Sequence, residues 1–276
     1  VSQIYLTDLL GKRVRPVTNM PEGACQPSWS PDGTQLVFVS PCSGPNLIGQ
    51  NPARDTGLYL INADGTGLTA LTKVPGGDFE PAWSPDGRHI AFTSFRDGNM
   101  QVYSLNLADR TVVRLSNVGA AIEARQPEWF PSGDMIVFTA RRLGAYQIWA
   151  MSSNGENARQ IIRSGQTLWD YFPAPSRDGT AVLFSQEGQG AEPPAWQVSS
   201  PYEEEGTTTA VRMNLGGLPA EHAAVSPDGF WIAFQSRDKE GNTELYFVRV
   251  TGSGLTRLTT EVAQDFDPAW RPTGSE

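Results

Sequence analysis

A short phrase that returns along the chain constrains the fold more than any other feature: proline, a variable residue, an aromatic, then Ser-Pro-Asp-Gly. It stands at Pro27–Gly33 (PSWSPDG), Pro81–Gly87 (PAWSPDG), Pro127–Gly133 (PEWFPSG) and Pro268–Gly274 (PAWRPTG). Two weaker copies fill the gaps. Pro173–Gly179 (PAPSRDG) lacks the aromatic, and in Ala223–Gly229 (AAVSPDG) Val225 replaces it. Aligned on the residue after the aromatic, the anchors are Ser30, Ser84, Phe130, Ser176, Ser226 and Arg271, spaced by 54, 46, 46, 50 and 45 residues. A period of this size marks repeated supersecondary units.

Each unit follows one course. After the Asp-Gly turn comes an apolar run, as in Gln35–Ser40, His89–Ser94, Met135–Thr139 and Trp231–Ser236. A polar loop leads to another run (Gly57–Ile61, Gln101–Leu105, Gln147–Met151, Glu244–Val248), then a second turn and a final short run ending near Leu71, Leu115 or Leu258. Proline presets φ in the first corner of the turn and glycine supplies the positive φ that closes it. Four antiparallel strands per unit make a propeller blade. The 28 glycines and 21 prolines point the same way, because neither fits long helices.

These residues resemble the TolB-type β-propeller repeat, which also occurs in the tricorn protease and prolyl oligopeptidase propellers. The resemblance implies an all-β fold over residues 1–276, a six-bladed propeller closed by joining N- and C-terminal strands in the last blade. Ser2–Tyr5 matches Met100–Tyr103 of a third strand, Arg13–Thr18 a fourth, and Phe266–Trp270 a first. The second strand of that blade is absent from both ends. Roughly a dozen residues upstream of Val1 would supply it, the alternative being an edge open to a partner strand. Because Ile4–Leu6 already reads as a third strand, the expectation is the propeller without the α/β domain that precedes it in TolB.

Charge and motif content narrow the function. The net charge is −9, and only three of the 21 basic residues are lysine, so no basic stripe is present to neutralise phosphates. No run approaches the length of a membrane-spanning helix. Two histidines, no Gly-x-Ser-x-Gly elbow and no His-Glu-x-x-His leave the common hydrolase and zinc constellations without their residues. The reading is a non-enzymatic module that binds a protein or peptide at the channel mouth and loop face. Alternatives are a carbohydrate-binding or carbohydrate-degrading propeller, or the substrate-gating propeller of a larger protease.

In propellers of this type the first strands line a central channel. The residues just before the repeat proline are Gln26, Glu80, Gln126, Phe172, His222 and Asp267; two positions earlier stand Ala24, Asp78, Ala124, Asp170, Ala220 and Asp265. The acids Asp78, Glu80, Asp170, Asp265 and Asp267, with Gln126 and His222, thus form a candidate acidic mouth. Asp78, Asp170 and Asp265 are the candidate ligands of a Ca²⁺ or Mg²⁺ ion, and a basic peptide or amine is the other candidate guest. Solvated acids that bind nothing are the plain alternative. Glu123, Arg125 and Glu221 stand close enough in sequence to complete or neutralise the ring. Trp169, beside Asp170, Tyr171 and Phe172, is a candidate stacking platform. Trp29, Trp83, Trp129 and Trp270 share one repeat position and read as packing between blades.

Cys25 and Cys42 are the only cysteines. Cross-strand partners about the turn Pro31-Asp32-Gly33 have numbers summing to about 64 to 67, which puts the two opposite each other within disulfide reach. Two separately buried thiols are the alternative. A disulfide implies an oxidising compartment, and the family resemblance implies a periplasmic or extracellular one.

Overall fold

The computed structural model describes the chain except for residues 43, 45–54, 118–122, 143, 163, 165–167, 189–194, 200–210, 214, 216, 239, 261 and 273–276. Every regular element among the described residues is a β-strand. The first two are β1 (Tyr5–Leu6) and β2 (Arg15–Pro16). Blade one holds β3 (Cys25–Trp29), β4 (Gln35–Ser40), β5 (Gly57–Asn62) and β6 (Thr69–Ala70). Blade two holds β7 (Asp78–Trp83), β8 (His89–Ser94), β9 (Gln101–Asn106) and β10 (Val112–Arg114). Blade three holds β11 (Glu123–Trp129), β12 (Met135–Arg142), β13 (Ala145–Ser152) and β14 (Arg159–Gln160). Blade four holds β15 (Leu168–Pro175), β16 (Val182–Gly188), β17 (Ala195–Ser199) and β18 (Val211–Arg212), and blade five β19 (Glu221–Val225), β20 (Trp231–Arg237), β21 (Thr243–Arg249) and β22 (Thr256–Arg257). Within each blade neighbours in sequence pair antiparallel.

The expected six-bladed ring closed by strands from both termini is not what the structure shows. Among the described residues there are five four-stranded sheets and a two-stranded ribbon, β1 with β2, and the C-terminal stretch Phe266–Trp270 forms no ladder. A first strand needs a second strand to pair with, and among the described residues none is placed beside it. Side-chain anchors hold this stretch between blades five and one instead. Asp267 N donates to Gln235 Oε1 (3.1 Å), Trp270 Nε1 to Ala224 O (2.8 Å) and Arg271 Nε to Gly33 O (2.8 Å). Gly33 is required at that contact, since it has φ +67° and a Cβ there would sit 2.5 Å from Pro272 O. The ribbon shows what an absent second strand removes. Tyr59, Tyr103 and Tyr246 on third strands face Phe38, Phe92 and Phe234 at 5.8, 5.9 and 5.5 Å, whereas Tyr5, their counterpart, has no such mate among the described residues and is 56% exposed.

The Ser-Pro-Asp-Gly phrase closes its hairpins through its own side chains. Ser30 Oγ donates to Asp32 Oδ1 (2.6 Å) and accepts from Gln35 N (2.9 Å), while Asp32 Oδ1 accepts from Thr34 N (3.0 Å). Ser84, Ser176 and Ser226 repeat the pattern with Asp86, Asp178 and Asp228. These bonds hold the turn aspartates below the usual carboxylate range, Asp178 at about 2, chiefly through its serine partner. The core lies between blades. Val37, Val39 and Leu58 of blade one pack with Phe79, Ile90 and Phe92 of blade two, and the other seams repeat this. Second strands are therefore buried on both faces, so Leu36–Val39 and Ile90–Thr93 read as continuous burial rather than alternation.

The cysteines form a disulfide, Cys25–Cys42, with a Cα separation of 5.9 Å. The register differs from the expected one: Cys25 faces Val39, and Cys42 lies beyond the strand end, where its N–H donates to Glu22 O (2.8 Å). The bridge therefore runs diagonally across the open end of the hairpin.

Candidate functional site

Every first strand slips register at the same repeat position, between Cys25 and Ser28, Phe79 and Ala82, Arg125 and Glu128, Tyr171 and Ala174, and Glu221 and Ala224, a position held by proline in blades one to four and by Ala223 in blade five. Proline cannot donate to the ladder, so a bulge there leaves no amide without an acceptor. The residue before it takes a left-handed conformation: φ is 52° at Gln26, 53° at Glu80, 55° at Gln126, 52° at Phe172, 50° at His222 and 52° at Asp267. Such a conformation costs a non-glycine residue on the order of 1 kcal/mol. All six residues border one central cavity.

Hydrogen bonds from blade to blade offset that strain. Gln26 N donates to Asp267 Oδ2 (3.1 Å), Glu80 N to Gln26 Oε1 (2.8 Å), Gln126 N to Glu80 Oε2 (3.0 Å) and Phe172 N to Gln126 Oε1 (3.0 Å). Each pre-proline side chain thus accepts from the pre-proline amide of the next blade. Phenylalanine at 172 cannot continue the series. At the following seam Gln235, one blade inward from Asp267, accepts the Asp267 amide.

The charges in this ring are paired. Buried Arg125 donates through Nε (3.1 Å) and Nη2 to Glu80 Oε1, and Thr93 Oγ1 donates to Glu80 Oε2 (2.8 Å). Burial pulls the Arg125 pKa down, but the Glu80 charge outweighs it and the net shift is upward. His222 Nδ1 lies 3.2 Å from Asp267 Oδ1, and its ring lies against Phe172, tilted by 37° with centroids 3.6 Å apart. Burial pushes Asp267 upward, with the facing His222 and the Gln26 amide opposing.

The cavity has a volume of about 610 Å³. Beyond the pre-proline ring its wall is formed by Trp29, Trp83, Trp129 and Trp270, and then by Pro31, Pro85, Pro131, Pro227, Pro272 and Arg177. The tryptophans serve the seams as well: Trp129 Nε1 donates to Ala82 O (3.2 Å), as Trp270 does to Ala224. Arg271 lies over the Trp29 ring at 5.2 Å. Between the repeat proline and the aromatic position stand Ser28, Ala82, Glu128, Ala174, Ala224 and Ala269, so one carboxylate projects where every other blade carries a small residue. No ion pair or hydrogen bond among the described residues reaches the Glu128 carboxylate. The surrounding protein pushes its pKa up, to about 8, through burial alone, although the side chain keeps contact with solvent in the channel, which moderates the effect.

Of the residues expected at the mouth, Glu80, Gln126, His222 and Asp267 line the cavity, and Asp78, Asp170, Asp265 and Trp169 do not. Asp78 is buried against Arg96, whose Nη2 donates to both carboxylate oxygens (3.0 and 3.1 Å) and whose guanidinium lies over Tyr103 at 4.7 Å. Asp170 accepts from Ser164 Oγ (2.9 Å) and Gln186 Nε2 (2.9 Å), and burial pushes its pKa up to about 6 against those bonds. Asp265 is half-buried, and its N–H donates to Thr243 O (2.8 Å). Trp169 is 40% exposed. Among the described residues no three His, Cys, Asp or Glu side chains are grouped as metal ligands would be. The sequence also carries an acidic run, Glu203–Glu205, of the kind that usually forms a solvated face, and it lies outside the described residues. Sequence reasoning missed Gln235 and Glu128. Glu128 had a signal, being the one large residue at a position otherwise filled by serine or alanine.

Stacked antiparallel blades around a channel walled by their first strands define a β-propeller. The family of the TolB beta propeller domain matches residues 1–202, and the chain belongs to it. It is 29% identical to the Tol-Pal system protein TolB of Bordetella pertussis over 140 residues, covering 38% of this chain and 32% of that protein. It is 26% identical to Dipeptidyl-peptidase 5 of Porphyromonas endodontalis over 256 residues, covering 90% of this chain and 35% of that one. The crystal structure of TolB from Acinetobacter baumannii superposes with a TM-score of 0.80 at 21% identity, covering 98% of this chain and 62% of that one, and shows the same fold. The chain spans about a third of the length of these curated relatives.

Proposed function

We propose that this propeller is a binding module of an oxidising envelope compartment, the periplasm, and that it recognises a protein or peptide segment at the channel. The carrying observation is the channel wall: six equivalent segments converge on one cavity lined by indoles, three of them half-buried, and proline rings, the surface type that anchors partner side chains. The Cys25–Cys42 bridge supports an oxidising location. The name of the B. pertussis relative, a Tol-Pal system protein, supports membership of a protein assembly. Among the described residues no helix is long and apolar enough to cross a membrane.

A second reading is favoured by the Dipeptidyl-peptidase 5 relative, which aligns over 90% of the chain. In that reading the same channel admits peptides to a catalytic portion outside these residues. The test uses the whole natural polypeptide. Ala269, exposed in the wall, is replaced by Trp to fill the channel, and Val113, exposed on β10, is replaced by Ser as a control. Loss of partner capture from envelope extract with Ala269→Trp alone supports the binding module. Capture unchanged by Ala269→Trp but lost with Val113→Ser would move the site to the outer strands. Peptidase activity that Ala269→Trp abolishes would favour the second reading.

A further inference from the structure

Building on the channel as the binding site, we infer that Glu128 makes it a receptor for a cationic side chain, the ammonium of lysine or the guanidinium of arginine, presented by the bound segment. Three observations converge. Glu128 is the one acidic side chain at a channel position that is Ser28, Ala82, Ala174, Ala224 or Ala269 in the other repeats, and its carboxylate reaches no cation among the described residues. The other carboxylates of the wall are already matched, Glu80 by Arg125 and Asp267 by His222. The same cavity is lined by aromatic rings: Trp129 follows Glu128 in β11, and Trp83 stands at the position of Trp129 in the preceding blade. A flat ring next to an uncompensated carboxylate is the setting in which a cation is held by ring face and charge together.

The protein contains an example of the first half of that interaction. Arg271 lies over Trp29 at 5.2 Å, so one of the four indoles already carries a guanidinium from the chain itself, while Trp83 and Trp129 have no such cation among the described residues. Arg177, which lines the cavity, lies in the ring of turn residues with Pro31, Pro85 and Pro131. The channel is wide enough for the guest: a volume of about 610 Å³ admits a side chain and the backbone that carries it. Desolvation by the surrounding protein pushes the Glu128 carboxyl up, to about 8, an effect moderated by its exposure to channel solvent; an arriving cation favours the charged form and displaces the proton. Affinity for a cation therefore rises with pH through the neutral range, whereas binding by apolar contact alone is flat. The other titratable or charged groups facing the channel are His222, 3.2 Å from Asp267, Asp267 itself, which burial pushes upward, Glu80, paired with Arg125, and Arg177.

The experiment titrates the protein with the peptides acetyl-Gly-Lys-Gly-amide, acetyl-Gly-Arg-Gly-amide and the neutral acetyl-Gly-norleucine-Gly-amide, read by tryptophan fluorescence and calorimetry at pH 6, 7, 8 and 9. The expected result is binding of the two cationic peptides, at least 10-fold weaker for the neutral one, strengthening several-fold from pH 6 to 9. Glu128→Gln should weaken the cationic peptides at least 10-fold, remove their pH dependence and leave the neutral peptide unchanged. An unchanged far-ultraviolet spectrum and thermal midpoint would show that the variant folds. Equal affinity of Glu128→Gln and the parent, or equal affinity for lysine and norleucine peptides, overturns the inference. The channel reading is separable: if partner capture fails with Ala269→Trp but persists with Glu128→Gln, the channel is the site and the cation is not its determinant.

Discussion

Replacing Glu80 by Ala removes the acceptor on which the channel wall leans most. In the parent its Oε1 takes two donors from Arg125, and its Oε2 takes the Gln126 amide and the Thr93 hydroxyl. Arg125 is 3% exposed, so after the change a guanidinium stays buried without its counter-charge, at a cost of about 3–5 kcal/mol. The Gln126 amide, at a strained φ of 55°, loses one acceptor, which adds up to about 1–3 kcal/mol; Thr93 Oγ1, 3.1 Å from that amide, takes up part of the loss. The expected total is about 4 kcal/mol or more, out of the 5–15 kcal/mol typical of a folded domain. Arg125→Met alone should cost less, because Glu80 keeps two donors and contact with channel solvent. The double variant Glu80→Leu with Arg125→Met should recover at least half of the single loss, since no buried charge remains. Equilibrium urea unfolding followed by tryptophan fluorescence and far-ultraviolet dichroism measures all three. A Glu80→Ala loss below about 1 kcal/mol, or a double variant no more stable than the single, would refute the claim that this pair holds the wall.

Reducing Cys25–Cys42 should lower stability by about 3 kcal/mol on the chain-entropy estimate for a loop of this length, read as a shift in the urea midpoint between oxidised and reduced protein. Asp170 gives a pH signature. Burial raises its folded pKa to about 6 from the ordinary aspartate value of 3.8, so the folded state binds more protons, and stability falls as pH rises from about 4 to 6. Asp170→Asn should remove that slope and gain on the parent above pH 6 by up to about 3 kcal/mol; parallel pH curves for the two proteins would contradict the assignment. Gly33→Ala should cost about 1–3 kcal/mol, because its φ of +67° is strained for alanine and the new Cβ meets Pro272 O, and an unchanged thermal midpoint would argue against that contact. Trp83→Ala should cost about 2–3 kcal/mol, less than for a fully buried tryptophan because one face of the ring borders the channel; an unchanged midpoint would place the ring outside the seam.

The blades were legible because their signal is local and repeated. Ser30, Asp32 and Gly33 close a hairpin within six residues, and the same chemistry recurs at Ser84, Ser176 and Ser226. The disulfide was legible for the same reason, although the proline bulge shifted its register in a way that counting from the turn does not register. What escaped was pairing across distance. Asp78 was read as part of an acidic mouth because the sequence shows its charge and hides Arg96, which returns 18 residues later to neutralise it. The pre-proline ring was found as a set of positions, but its role as a relay of acceptors depends on φ near +50°, which a residue before proline does not announce. Closure at the C-terminus was read as a strand because Phe266–Trp270 carries the motif; whether a motif becomes a strand depends on having a partner beside it.

Site-directed photocrosslinking tests the central claim most directly. A benzophenone side chain placed at Trp129 and at Ala269 in the channel wall, and at Val113 and Phe230 on exposed surfaces away from the bulged segments, reports which surface touches a partner in the native envelope. The account expects one discrete adduct shared by Trp129 and Ala269, absent from Val113 and Phe230, and lost when excess of the cationic tripeptide competes. Adducts from Val113 or Phe230 alone, with none from the channel wall, would contradict it.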